Sequence, residues 1–352
     1  MRDSLENSVF KKNILYLGDK KKSSTSRHRA DALRRIGCDV FVVDPSDLIG
    51  PRRRYQSFLD NRTGFRFLQR KLLRTLQADQ RIVSLKPQLI WVNGGELIGT
   101  RVLTWLLDTF KSQAVLYNND DPTGWRDRCR FATLRSSLSL YRLCAFCRPE
   151  TAIEALALGA QRTMRVMMSY DEFIHTSQLC DSRASHERLV SFVGTFISRE
   201  GRDNLLMALN KAGLPLSIKG GRWQQSRSWS ILKDFYHGPG VSGQAYAKSL
   251  TLPSISLGLL SHQNRDLLTQ RSFEIPACYG LLCAERTSEH QLLYEDNYEA
   301  VFWDSADECI STCHNLLSAF KKNEIIRRRG YQHVQRIGAG NEDVCRQILR
   351  SI

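Results

Sequence analysis

The chain has 352 residues, 42% hydrophobic and 25% charged, a composition that suits a globular protein of two ordinary domains. No apolar run reaches the roughly 18 residues of a membrane-spanning helix, and the ten cysteines follow no regular spacing, which argues against a disulfide scaffold and for reduced, cytosolic thiols. The net charge of +15 is uneven: residues 1–175 hold 30 Lys and Arg against 18 Asp and Glu, and the remainder 21 against 18, so the first half is expected to meet an anionic partner.

The opening stretch, MRDSLENSVFKKN, lacks the apolar core of a signal peptide. NILYLG (13–18) then reads as a short strand closing on Gly, followed by the polar loop DKKKSSTSRHR and a helix over 25–36 that Gly37 ends. Small hydroxyls and a helix start make this loop a candidate anion site, with Ser24, Thr25 and Arg27 as its residues, although a solvated basic loop fits as well. CDVFVVD (38–44), PQLIWVNGG (87–95) and QAVLYNNDD (113–121) read as further strands, and RLCAFC and MRVMMS as two more. Helices are expected over 62–85, 100–110 and 149–158. Strands alternating with helices give a parallel sheet covered on both faces. The C-x-x-C of Cys144 and Cys147 has no second pair at zinc-site spacing and reads as part of a buried strand.

Two segments of this half stand out. In NRTGFRFLQRKLLRTLQ (61–77), Phe65, Leu68, Leu72 and Leu76 form one helical stripe flanked by Phe67 and Leu73, accompanied by Arg62, Arg66, Arg70, Lys71 and Arg74 and preceded by PRRRY. Such a helix either packs on a core or lies in an anionic membrane interface. NNDDPTGW places Asp120 and Asp121 side by side at a strand end, where Pro122 and Gly124 turn the chain. Adjacent carboxylates repel, so one is expected to have a raised pKa and to suit general-base work. An Asx-type turn cap accounts for one of the two but not both.

After the polar stretch HTSQLCDSRASHER (175–188), a candidate linker, the grammar repeats. LVSFVG (189–194) ends in Gly, a helix follows over 200–212, then LPLSIKGG, a helix over 242–250, and SISLGLL. RSFEIPACYG leads into the strand LLCAE, EAVFWD is the last strand, and helices are expected over 304–320, 323–337 and 341–351. The fold class is therefore α/β, with two tandem Rossmann-like doubly wound domains facing across a cleft: 1–175, a linker 176–188, 189–340, and a terminal helix 341–352 packing back on the first domain. Ligands of such domains sit beyond the carboxyl ends of the strands.

RSFEIPACYGLLCAERTSEHQLLYEDNYEAVFWDSADE resembles the C-terminal signature of CgeB-like, group 1 glycosyltransferases with the GT-B fold, and the likeness extends to FVGTFISREGRDNLLMAL, GLPLSIKGGRW and YNNDDPTGW. The resemblance implies a cytosolic, metal-independent enzyme that moves a sugar from a nucleoside diphosphate sugar to an acceptor hydroxyl, with no further cofactor. It casts Glu274 as acceptor for the ribose hydroxyls, in keeping with an acceptor-only carboxylate at a helix start. Arg271, Arg199 and Arg202 would face the diphosphate. Gly194, Gly220 and Gly221 would allow close backbone approach, Trp223 would line the base pocket, and Asp266 stands where relatives carry a second glutamate. Asp120 or Asp121 becomes the catalytic candidate. The acceptor would be anionic or lipid-linked, with peripheral contact to an anionic membrane, and no nucleic acid is expected. A GT-B-type sugar-nucleotide epimerase, a nucleic-acid binder and a non-catalytic scaffold are the alternatives.

Overall fold

The computed structural model describes residues 11–127, 129–176 and 187–352. Most of the expected linker 176–188 thus lies outside the described residues. Contacts divide the rest into two compact units, one running to Met167 and taking in Asn341–Ile352, the other Met168–Gly340.

In the first unit β1 (Asn13–Leu17), β2 (Asp39–Val43), β3 (Leu89–Asn93), β4 (Gln113–Asn118), β5 (Leu143–Phe146) and β6 (Thr163–Arg165) form a sheet of order β2-β1-β3-β4-β5-β6. Every pairing is parallel. Its central strands are buried along almost their whole length, as expected when helices cover both faces. Strand order reverses at β1, so the crevice beyond the carboxyl ends of β1 and β3 is the switch point where such sheets hold ligands. The terminal helix Asn341–Arg350 packs on the helix Thr25–Arg35, burying Val344, Cys345 and Ile348 and pairing Glu342 with Arg35 at 2.7 Å.

The second unit repeats the plan with β7 (Glu187–Val193), β8 (Leu216–Lys219), β9 (Pro253–Gly258), β10 (Leu282–Glu285) and β11 (Val301–Trp303), in the order β11-β10-β9-β7-β8 and again all parallel. Its switch point lies between β7 and β9. The contacts place 168–176 in this unit rather than in the first, where Tyr170 bridges to Gly340 and His175 packs beside Glu274.

The continuous helix expected over 62–85 is broken. Gly64 (φ +60) and Phe65 (φ 58) are left-handed between the helix Arg54–Arg62 and a 3-10 turn, Arg66–Leu68, that leads into the helix Gln69–Ala78. Position 64 requires glycine, because a Cβ there would strike the Cys129 carbonyl and Ala132. A further turn, Gln80–Val83, is capped by the Asp79 carboxylate. The apolar stripe is spent on the core: Leu68, Leu72 and Leu76 are buried, and Phe65 and Leu73 pack against them. That apolar face is not available to a membrane, and of the set only Phe67 is exposed, at 68%. Of MRVMMS, only Met164 and Arg165 extend into the sheet, in the strand Thr163–Arg165.

Candidate functional site

Each unit carries its own candidate site at its strand ends. In the first, a cleft of about 430 Å³ is lined by the residues that follow β1, β2, β3 and β4, among them Gly18, Thr25, Asp44, Asn93, Gly94, Asp120 and Arg130. Strand-end amides fix its walls. Asn93 Oδ1 accepts from the buried Arg29, whose guanidinium lies 3.5 Å over the Tyr117 ring, and Asn118 Nδ2 donates to Gly94 O at 2.6 Å. Asn118 Oδ1 also accepts the Asp120 N–H at 2.7 Å, which sets the turn that brings Asp120 to the cleft.

The structure separates the two aspartates. Asp121 is 2% exposed, and its Oδ1 accepts from Thr151 Oγ1 at 2.9 Å and from Gly124 N at 3.1 Å. It is the turn cap, and a Cβ at Gly124 would collide with its carboxylate. Asp120 is half-buried and lines the cleft. Burial raises its pKa above the ordinary carboxylate range, with Glu96 and Asp127 adding to the shift and Arg130 and Arg148 opposing it. The expected direction is present, but its leading cause is burial, whereas the sequence argument invoked repulsion by Asp121. Of the loop residues, Thr25 lines the cleft. Ser24 instead caps its helix by accepting from Ser26 N, and Arg27 is held by Asp31 at 2.8 Å.

In the second unit the glycines do what their type allows. A Cβ at Gly220 (φ +143) would overlap the Gly194 carbonyl, so the ends of β7 and β8 touch there, while a Cβ at Gly221 would make only ordinary contact with the Thr195 side chain. Trp223 does not line a pocket. It is fully buried against Phe192 and Phe196, and its indole N–H donates to Gly194 O at 2.9 Å. Arg202 is also committed: its two terminal nitrogens donate to Thr195 O and Leu260 O, each at 2.8 Å, tying the ends of β7 and β9 together. Asp266 is buried at 9%. Arg199 is exposed in a left-handed turn (φ 67).

Glu274 lies within the helix Arg271–Ala277 and is 3% exposed. Its Oε2 accepts from Tyr246 Oη at 2.5 Å and from Arg271 Nη1 at 2.6 Å, and Oε1 lies 3.7 Å from His175 Nε2. Burial pushes this carboxyl up, but Arg271, His175 and Tyr246 together outweigh it and hold the pKa below the usual value. The expected open carboxylate at a helix mouth is therefore an enclosed one, paired by its neighbours. Arg271 Nε donates to Val193 O at 3.0 Å, and its side chain stays 27% exposed. Pro276 sits inside the helix and gives up the N–H that would have met Ser272 O; that carbonyl accepts from Tyr294 Oη at 2.7 Å instead.

Sequence reasoning missed a second network here. Glu200 is 8% exposed, and its carboxylate accepts from Ser261 Oγ, His262 N and Gln263 N. The His262 ring joins it at 3.1 Å and reaches Glu285, at the end of β10, at 2.6 Å. Burial would lower the His262 pKa, but Glu285 and Glu200 raise it overall. Tyr246, His175, Glu200, His262 and Glu285 lie far apart along the chain, and no spacing rule links them. The buried thiols of Cys283, Cys309 and Cys313 likewise converge within 4.8 Å of one another, a set of soft donors inside the core of this unit.

Two Rossmann-like domains, each with polar groups gathered at its strand ends, are the plan of the GT-B fold. Residues 199–347 match the model of a family described as glycosyl transferase-like, a span that takes in most of the second unit and the first residues of the terminal helix. No curated protein sequence matches the chain. Among solved structures it is similar to a sucrose-phosphate synthase from Thermosynechococcus elongatus (TM-score 0.71, 14% identity, covering 97% of this chain and 98% of that one). It is also similar to HepE of Anabaena in complex with UDP and glucose (0.65, 12%, 97% and 99%). A third is AviGT4, a glycosyltransferase involved in avilamycin A biosynthesis (0.59, 10%, 97% and 96%). At these identities the likeness establishes the fold, which is GT-B.

Proposed function

We propose that this protein is a glycosyltransferase that moves a sugar from a nucleoside diphosphate sugar to an acceptor hydroxyl. The observation that carries the reading is the coincidence of the glycosyl transferase-like match over 199–347 with the Arg271–Glu274 pair, which Arg271 ties to the end of β7 through Val193 O. The narrower CgeB-like kinship, drawn from RSFEIPACYG and its flanks, belongs to the same proposal.

The second unit holds the donor. Arg271, steadied by Glu274 and the Val193 carbonyl, keeps its Nη2 edge for an oxygen of the diphosphate. Arg199 supplies a second exposed guanidinium, and Arg202 positions the loops that carry them. These cations and the strand-end N–H groups offset the charge that develops on the leaving nucleoside diphosphate, so no metal is needed. Glu274 serves the ribose through the hydrogen-bonded cluster it shares with Tyr246 and His175. In the first unit Asp120 takes the proton of the acceptor hydroxyl, a task for which its raised pKa makes it a stronger base than an ordinary carboxylate. HepE has been crystallised with UDP-glucose, which makes UDP-sugars the first donors to test.

Titration with UDP, GDP, ADP and TDP should show one preferred nucleotide, and a hundredfold excess over its dissociation constant should stabilise the fold by about 2.7 kcal/mol. Its sugar conjugate should then release the nucleotide with chelator present. If no nucleotide binds the folded protein at millimolar concentration, the proposal fails.

The setting is proposed as cytoplasmic, and among the described residues no helix is long and apolar enough to cross a membrane. Contact with an anionic membrane, if the acceptor is lipid-linked, would use the exposed Tyr55, Phe58 and Leu59 of the helix Arg54–Arg62 rather than the buried stripe. Co-sedimentation with phosphatidylglycerol vesicles at low salt tests this, and protein left wholly in the supernatant refutes it.

A further inference from the structure

The first unit has a second cleft, of about 570 Å³, separate from the one that holds Asp120. The segment 97–99 stands between them: Leu97 and Ile98 line the strand-end cleft, and Gly99 lines the second. The Gln69 side chain fixes this wall, donating to Leu97 O at 2.9 Å and accepting from Gly99 N at 3.0 Å.

Three arginines line the second cleft, and no carboxylate does. Arg66 and Arg70 lie four residues apart across the join between the 3-10 turn and the helix Gln69–Ala78, and Arg101 comes from the first turn of the helix Thr100–Phe110. All three are exposed, and none is ion-paired among the described residues. Elsewhere in this unit arginines find carboxylates: Arg35 holds Glu342, Arg52 holds Asp60, and Arg130 holds Glu96. Like charges gathered around one cavity without a counter-charge raise one another's energy, and a bound anion relieves this. The exposed Phe67 ring sits under the Arg66 guanidinium at 4.7 Å and adds an apolar rim. The helix Thr100–Phe110 begins at Gly99 without a side-chain cap, and a Cβ at Gly99 would strike Thr133 and Gln69. The site therefore cannot supply its own capping oxygen from that position.

We propose that this cleft binds a phosphomonoester, a dianion whose oxygens are matched by the planar forks of Arg66, Arg70 and Arg101. The phosphate belongs either to a small soluble molecule or to a lipid headgroup, and the chemistry of recognition is shared. The inference does not depend on the transferase reading, because none of these residues takes part in the donor or Asp120 sites.

Calorimetry with glycerol 3-phosphate, and sedimentation with phosphatidylcholine vesicles with and without phosphatidic acid, test it at low salt. Two variants of equal charge are compared, R70Q/R101Q in the cleft and R142Q/R227Q at exposed positions that line neither cleft. Among the described residues neither pair of side chains has an ion-pair partner to lose, and thermal melts confirm that both variants fold. The expected result is that R70Q/R101Q weakens binding about tenfold or more while R142Q/R227Q leaves it near that of the parent. Loss confined to glycerol 3-phosphate identifies a soluble ligand, and loss confined to phosphatidic acid vesicles identifies a headgroup. Equal weakening by both variants, or no binding of either probe by the parent, overturns the proposal.

Discussion

Asp120 and Glu274 each follow a strand of a doubly wound sheet, Asp120 in the turn after β4 and Glu274 in the helix after β9, yet their carboxyl groups are driven in opposite directions. Around Asp120 burial wins, because Glu96 and Asp127 set themselves against Arg130 and Arg148. Around Glu274 burial loses, because Arg271 at 2.6 Å, the Tyr246 hydroxyl at 2.5 Å and His175 all favour the charged form. The same fold thus offers a carboxyl poised to gain a proton in one unit and a carboxylate fixed as an anion in the other. Environment, not residue type or topology, assigns the roles.

The largest expected effect tests the first half of that contrast. Asp120→Asn should lower turnover by about 10²- to 10⁴-fold while donor affinity, measured by calorimetry, holds. Because the base works only when deprotonated, activity of the parent should rise with pH through a value above the ordinary carboxylate range, and this acid limb should vanish from the residual rate of the variant. Full activity in Asp120→Asn would leave the cleft without its proposed base.

Glu274→Gln tests the other half. Removing one partner of a buried ion pair leaves Arg271 uncompensated, so a stability loss of about 3 kcal/mol is expected together with weaker nucleotide binding. The sign of the pH dependence follows from the lowered pKa: the contribution of Glu274 is present above its unfolded value and is lost as pH falls through the folded one. Arg271→Gln with Glu274→Gln should cost less than the two single changes added together, as a double-mutant cycle on thermal unfolding would show. Strict additivity would mean the pair does not act as a unit.

Asp121→Asn should separate the adjacent aspartates. Its carboxylate accepts from Thr151 and Gly124, so the change should reduce stability by about 1–3 kcal/mol. Turnover per folded molecule should stay near that of the parent. A turnover loss matching that of Asp120→Asn would reverse the assignment of the two residues.

Much of this was open to reading in the sequence. Apolar runs closed by Gly or polar residues marked the strands, because a parallel sheet covered on both faces needs them. The turn chemistry of NNDDPTGW announced that one aspartate is a cap, but which one depends on Thr151, 30 residues away in the chain. RSFEIPACYG displayed Glu274 and Arg271, but not Tyr246 and His175, which enclose the carboxylate. Trp223 and Arg202 looked like ligand residues because large aromatics and guanidiniums at glycine-rich loops suit that work; packing on Phe192 and Phe196 and the carbonyls of Thr195 and Leu260 claimed them first. The break at Gly64 and Phe65 hid from the helical pattern because Phe65, Leu68, Leu72 and Leu76 keep helical spacing across the 3-10 turn Arg66–Leu68.

The smallest effect concerns His262, a cation of the second unit that can be switched off. Arg271 is charged at every accessible pH, whereas His262 holds Glu200 and Glu285 only while protonated. Its pKa is raised by those carboxylates against the opposing effect of burial, so its stabilisation is fully present below the unfolded histidine value of about 6.5 and is lost as pH rises through the folded value. The side chain is 56% exposed, and solvent screening should keep the effect below about 1 kcal/mol. Unfolding free energies of the parent and His262→Gln, compared between about pH 5 and pH 9, should differ most at the acid end and converge at the alkaline end. As the ring loses its proton it keeps one N–H and can donate to only one of Glu200 and Glu285, while Glu200 retains the Ser261 hydroxyl and the backbone N–H groups of His262 and Gln263. A difference that does not change with pH would show that the ring acts by packing alone, and that the contrast between the two units rests on arginine.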